Sequence, residues 1–363
     1  MRKIVTAILF VLLLASGRSA AQLKYSIPYP KMIPDGRDTL ELFVIGDVMM
    51  HSAQFGYDHR KFLSGIADMM NKADFCIANM EMTLAGKPYS GYPAFSSPEY
   101  IADYIAGECG ADVLLTANNH IMDRGKAGLE RTLALYSSLR DSLGTEFTGC
   151  SRSEEERERT FPLMIEGKDI RIAIINFTYG TNNPRQDGWP KVEYMDRESL
   201  SEAFGKARSE KADFILVLPH WGEEYKLKHS SRQEEWAEWL VLQGADAIVG
   251  SHPHVVQDSC HIGKVPVIYS MGNAVSNMSA TNTRLELAVT LRFEYDRFSG
   301  RKKMLEPELH FLWCCLPGRL TDSYTTIPVK KWASRKGDWL IKSDYDNMVE
   351  TLDRVRKATG IAD

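Results

Sequence analysis

Two histidines flank a single proline in the stretch Gly244-Ala-Asp-Ala-Ile-Val-Gly-Ser-His-Pro-His-Val-Val-Gln257. An imidazole is a metal ligand or a proton carrier near neutral pH. Pro253 lacks a backbone donor and has a fixed φ, so His252-Pro253-His254 must turn away from any strand that leads into it. Taken alone, the motif is equally a turn with two surface histidines. The same kinds of group recur along the chain, as Asp47 after Gly46, Glu81, the pair Asn119-His120, and His220. Asp47 by itself reads as a helix cap or a ligand. Together the groups offer oxygen and imidazole donors without a thiolate, which suits Mn²⁺, Zn²⁺, Fe or Mg²⁺ rather than a structural zinc. Glu81 has two oxygens with which to bridge paired cations. Such a pair clamps the attacking and leaving oxygens of a phosphoryl displacement and lowers the pKa of a bound water. His120, next to Asn119 but pointing away from it, is placed to protonate a leaving oxygen.

Positioning these groups requires strands, and each group ends an apolar run. Glu41 to Met50, Asp74 to Met80, Asp112 to Thr116, Asp213 to Leu218 and Ala247 to Val249 read as buried strands. Their C-terminal ends are where α/β folds place chemistry. Helical spacing falls between them, over 65–72, 98–107, 128–143, 200–207 and 233–243. The charged run 151–160 reads as an exposed connection, and 161–166 with 169–176 as an antiparallel pair. A further strand over 265–271 ends in Gly272-Asn273. Alternation over 286–294 and 305–313 predicts an antiparallel sheet with one solvated face, and 349–358 a closing helix. The loops 86–97 and 177–190, rich in Gly, Pro and aromatic residues, suit a substrate rim or a solvated connection.

The first residues read as an export signal. Arg2 and Lys3 precede the apolar run Ile4 to Ala15, and Ser19-Ala20-Ala21 offers a cleavage site. The expected product begins near Gln22 and works in the periplasm or at the cell surface of a bacterium; an uncleaved anchor is the alternative. A lead-in over 22–40 is followed by a domain over 41–280, which 281–363 completes or extends. The net charge of -4 argues against nucleic acid or an anionic membrane as the main partner. The six cysteines have no paired spacing and are expected to be mostly buried thiols, with Cys314 and Cys315 on opposite faces of a strand.

In order, Gly-Asp-Val-Met-Met, Ala-Asn-Met-Glu, Ala-Asn-Asn-His, His-Trp-Gly-x-Glu-Tyr, Ser-His-Pro-His-Val-Val-Gln and Tyr-Ser-Met-Gly-Asn resemble the motifs of the CapA family of capsule or poly-γ-glutamate synthesis proteins. That family resembles a branch of the calcineurin-like metallophosphoesterases. The resemblance runs from about Leu42 to Asn277. It implies a four-layer αββα sandwich, two mixed β-sheets packed face to face with helices outside. It also implies one or two divalent ions (Mn, Zn, Fe or Mg), held by Asp47, Glu81 and His254 at one position and by Glu81, Asn119, His220 and His252 at the other. His120 becomes the acid, and Glu224 and Tyr225 substrate contacts. The implied function is that of an exported protein of capsule, poly-γ-glutamate or other cell-envelope polymer metabolism. It would be a metal-dependent hydrolase or transferase using a metal-activated water, peripheral to the membrane at most. Met49 stands where metallophosphoesterases usually have a histidine, and His51 is the candidate substitute. That departure motivates the alternative, a non-catalytic accessory that binds or guides an acidic envelope polymer.

Overall fold

The computed structural model describes residues 36–362. The signal segment, and the lead-in as far as residue 35, lie outside the described residues. Among the described residues no helix is long and apolar enough to cross a membrane.

Two mixed sheets form the body. The larger runs in the order Thr325–Pro328, Glu308–Cys315, Leu285–Asp296, Arg37–Val48, Phe75–Met80, Val113–Leu115, Glu146–Thr148, with Lys302–Met304 paired to Leu285–Asp296. The last four strands of that order are parallel, and the strands after residue 284 join them antiparallel. The smaller sheet runs Ser259–Ile262, Val265–Ile268, Ala247–Val249, Phe214–His220, Ile170–Thr178, Leu163–Gly167, parallel in its centre and antiparallel at both edges.

The period of two along a strand separates the layers. Leu42 and Val44 face a core shared with Ile172, Ile174, Leu216 and Val249 of the smaller sheet. Phe43 and Ile45 face a second core with Leu129, Leu133 and Tyr136 of the helix Gly125–Leu143. Ile175 and Val217 face a third, with Phe204 and Trp236 of the helices Arg197–Ser209 and Ser231–Gln243. Three apolar interfaces make four layers, helix, sheet, sheet and helix, the expected sandwich.

Three local expectations are corrected. The run 151–160 is not simply an exposed connection, because Glu154–Thr160 is a helix. Ser153 caps it by accepting from the Glu156 N–H (3.2 Å), and three glutamates in its first turn suit the helix dipole. Glu156 is itself buried against Arg152 at 2.8 Å. The alternating strand Leu285–Asp296 has no solvated face over Leu285–Leu291, since it lies inside the sheet between two cores. The first strand starts at Arg37, four residues before the apolar run, because its pairing with Leu285–Asp296 extends that far. Five of the six thiols are buried, and Cys314 and Cys315 pack into different cores.

Candidate metal centre

The parallel strands of both sheets deliver their C-terminal ends to one place. At the end of Arg37–Val48 the pairing with Phe75–Met80 shifts register between Ile45 and Asp47, a bulge that re-aims Asp47. Gly46 permits it, since a Cβ there would stand 2.0 Å from the Gly272 carbonyl oxygen. That carbonyl accepts the Asp47 N–H at 3.0 Å. The side-chain Nδ2 of Asn79 donates to Asp47 Oδ1 at 2.6 Å and the backbone N–H of His252 to Oδ2 at 3.2 Å.

Asp47, Glu81, Asn119, His220, His252 and His254 converge there, all of them buried. Among the described residues three groupings have ligand atoms within 4.8 Å of one another: Glu81 with His220 and His252, Asp47 with Glu81 and His254, and Glu224 with His252 and His254. His220 Nε2 stands 3.6 Å from Glu81 Oε1 and 2.7 Å from Asn119 Oδ1. His254 Nδ1 is 3.6 Å from Asp47 Oδ2 and 3.8 Å from Glu81 Oε2. Those carboxylate–imidazole gaps exceed hydrogen bonds. They match the spacing of two ligands on one ion, which at about 2.1 Å each reach up to about 4.2 Å apart.

The polar accounting points the same way. Among the described residues, both carboxylate oxygens of Glu81, the Nδ1 of His252 and the Oδ1 of Asn79 are buried without a hydrogen-bond partner. Such orphans are costly unless something fills the space between them. Burial, the charge of Asp47 and that of Glu224 push the Glu81 carboxyl well above the carboxylate range. Burial pulls His220 down to about 3 and His252 well below the ordinary imidazole value, so both rings are neutral, as ligands must be. Asp47 responds oppositely. Burial raises it, but the nearby His254 and His220 imidazoles and the Asn79 amide together leave it lowered. Burial also opposes protonation of His254, yet Asp47 and Asn273 (Oδ1 to Nδ1, 2.9 Å) leave its value raised. The donor set and its orphans fit divalent cations.

His120 stands beside the centre rather than in it. Its Nδ1 is 2.7 Å from Asp123 Oδ2, both side chains being almost fully buried. Next to a carboxylate that nitrogen carries the proton, which leaves Nε2 as the working atom. Asn182 steadies the pair, its Nδ2 lying 3.3 Å from Asp123 Oδ1 and its backbone N–H 2.8 Å from the Asn119 carbonyl. Phe95 packs edge-on against the His120 ring at 4.7 Å between centroids and donates its N–H to Asp123 Oδ2 at 2.8 Å. The loops 86–97 and 177–190 thus both reach the site.

Met49 is buried in the helix-side core. His51 joins none of the three groupings. Its Nδ1 accepts from the Asn277 N–H at 3.3 Å, and burial pulls it to about 4. Tyr225 is half exposed with its ring 6.1 Å from that of His254.

Sequence reasoning passed over Asp123, Asn79, Ser251, Asn182 and Asn273 as participants. Asp123 was findable, since a carboxylate three residues after a histidine within one turn is within reach of the ring. Ser251 Oγ (3.0 Å) and Asn79 Nδ2 (3.2 Å) hold His220 Nδ1 from behind and turn its Nε2 inward. Nothing local marks either.

Two mixed sheets face to face between helices, with acid, amide and imidazole groups at the parallel strand ends, define a four-layer αββα sandwich that carries a candidate metal centre. Within that class the chain belongs to the family described as "Bacterial capsule synthesis protein PGA_cap", whose family model matches residues 41–278. It is similar to "Capsule biosynthesis protein CapA" of Bacillus anthracis, 27% identical over 264 residues, which cover 68% of this chain and 62% of that one. It is also similar to "PGA biosynthesis protein CapA" of Bacillus subtilis (strain 168), 30% identical over 200 residues, covering 54% of this chain and 51% of that one. The chain therefore spans less than two thirds of either relative's length. Among solved structures it resembles a phosphatase of Mycoplasma pneumoniae (15% identity, TM-score 0.45, 76% of this chain and 93% of that one). It also resembles the NAD nucleotidase of Haemophilus influenzae (12%, TM-score 0.47, 88% and 63%). Likenesses at this level bear on neither substrate nor chemistry.

Proposed function

We propose that the protein is an exported, metal-dependent hydrolase or transferase of capsule or related cell-envelope polymer metabolism. Asp47, Glu81 and His254 hold one divalent ion, and Glu81, Asn119, His220 and His252 a second. The observation that carries this reading is Glu81, whose two buried oxygens lack any donor and stand at ligand–ligand spacing from His220 and His254. Bound there, such ions would polarise an acceptor oxygen and lower the pKa of water at the centre. The protein's own part is to exclude bulk water and to supply the proton. As the imidazolium, with its Nδ1–H held by Asp123, His120 would hand its Nε2 proton to the departing oxygen and be left as the neutral Nδ1–H ring. The relatives are named for capsule and PGA biosynthesis, and the proposed partner is an acidic envelope polymer, poly-γ-glutamate among them.

Elemental analysis of the purified protein beside His252→Ala is the direct test. One or two of Mn, Zn, Fe or Mg per chain, reduced by the substitution, is the expected result. No metal in either protein, even after Mn²⁺ or Zn²⁺ is supplied, would sink the reading in favour of the accessory that binds polymer without turnover. Buried Met49, which offers the centre no ligand, is the observation that keeps this second reading in play.

Asp123→Asn tests the proton path separately. The amide cannot hold the Nδ1 proton as an anion does, so turnover is expected to fall roughly 10²-fold with metal content unchanged. Parallel loss of metal and rate would instead make Asp123 a support of the centre.

A further inference from the structure

We propose that Glu224 is a metal ligand that closes the centre from its solvent side together with His252 and His254, an inference that rests on the metal-binding reading above. The carboxylate of Glu224 and the ring nitrogens of these histidines lie within 4.8 Å of one another. A second observation is an unsatisfied polar group inside that cluster. His252 is only 3% exposed, and its Nδ1 has no hydrogen-bond partner. A buried ring nitrogen left vacant among carboxylates requires an electrophile or a donor.

The backbone around Glu224 is held on both sides. Trp221 is buried and donates its indole N–H to the Tyr269 carbonyl at 3.0 Å. Gly222 then turns at φ +101, where a Cβ would stand 2.7 Å from the Gln233 side chain. Tyr225 takes φ 65 and donates its N–H at 2.9 Å to the carbonyl of Pro253, the residue between the two histidines. His252 and His254 also have positive φ, at 101 and 58. Strained non-glycine backbone of this kind persists where surrounding contacts over-determine it, and it gathers at working sites. Here it ties the Glu224 segment directly to the two imidazoles.

Coordination gives the carboxylate a task. Asp47, Glu81 and His254 make three ligands, Met49 is withdrawn into the core, and His51 Nδ1 is engaged with Asn277. Glu224, grouped with His254 rather than with Asp47 or Glu81, would supply a fourth through that shared histidine. Electrostatics favours this over direct contact with an acidic polymer, because a bare carboxylate near Glu81 and Asp47 would repel one. Paired with a cation, it repels much less.

Mn²⁺ binding by the wild type and by Glu224→Gln, followed by equilibrium dialysis and by the EPR spectrum of the bound ion, decides the matter. Glu224 is exposed, so the amide is expected to leave the melting curve in EDTA unchanged. The expected result is that one ion binds at least ~10-fold more weakly, with an altered spectrum, while any second ion stays in place. Identical Mn²⁺ affinity and spectra in the two proteins would overturn the proposal, and a raised KM alone would make Glu224 a substrate contact. A wild type that binds no Mn²⁺ would overturn the metal-centre reading itself, and this one with it.

Discussion

Glu81→Gln is expected to empty the centre of every divalent ion while leaving the metal-free protein as stable as the wild type or more so. Glu81 is the one residue common to both proposed positions, and glutamine keeps its volume while removing the anion. In the metal-free fold the carboxyl is fully buried with no donor to either oxygen. Burial, together with the charges of Asp47 and Glu224, raises it well above its ordinary 4.5. A raised acid contributes stability that is complete below about 4.5 and is lost as pH rises through the folded value. Glutamine has no such loss, so above neutral pH the variant should melt no lower than the wild type in EDTA. With ions supplied the order reverses, because only the wild type gains stability by mass action of the ligand. Elemental analysis should read near zero, and turnover should drop by at least ~10³-fold. Full metal occupancy in Glu81→Gln would show that Glu81 is not the bridging ligand.

Glu286→Gln is expected to stabilise the metal-free protein in alkali and not in acid. Glu286 lies on Leu285–Asp296, fully buried, accepting the Gly46 N–H at 2.9 Å with Oε1 and nothing with Oε2. Burial pushes it up to about 8, against the pull of the Gly46 bond and with help from the charge of Asp47. Its contribution is therefore complete below about 4.5 and disappears as pH rises through about 8. That interval sets a ceiling of ~5 kcal/mol, large beside a total stability of roughly 5–15 kcal/mol. Glutamine retains a carbonyl for Gly46, though its amide hydrogens stay without an acceptor, so near pH 5 the variant should be equal or slightly weaker. By pH 9 it should be stronger by ~2–4 kcal/mol. Urea denaturation in EDTA at both pH values measures this. A difference that does not change with pH would mean that Glu286 does not titrate in the folded state.

The parallel strands, their helices and the ligands at their ends were legible because they are written locally. Apolar runs such as Phe214–His220 and Ala247–Val249 announce buried strands by composition, and His252-Pro253-His254 announces a turn after one of them, whereas Gly46-Asp47 marks a bulge inside a strand that runs on to Val48. Residue type carries donor chemistry, so Asp47, Glu81, Asn119 and the three histidines could be named before their distances were known. Local writing also misled. The charges of 151–160 suggested a solvated connection, whereas Ser153 and Arg152 turn the same residues into a capped helix with a buried Glu156. The alternation of Leu285–Asp296 hid a strand buried on both faces, because burial depends on which strands flank it.

What tertiary structure decided lies in contacts between residues far apart in the chain. Asn79 supports Asp47 and His220 across 32 and 141 residues, and Asn182 reaches His120's partner Asp123 across 59. Neither asparagine differs by type or spacing from an ordinary surface amide. Glu224 owes its place to a bond from Tyr225 to Pro253, and Glu286 its raised carboxyl to burial, against the pull of the Gly46 N–H. Composition and periodicity determine which groups the chain can offer and at which strand ends. Burial, the missing donors around Glu81 and the sharing of one space by Asp47, His220 and His254 arise only when the two sheets pack, because desolvation and Coulomb energy depend on distance in space and not on distance along the chain.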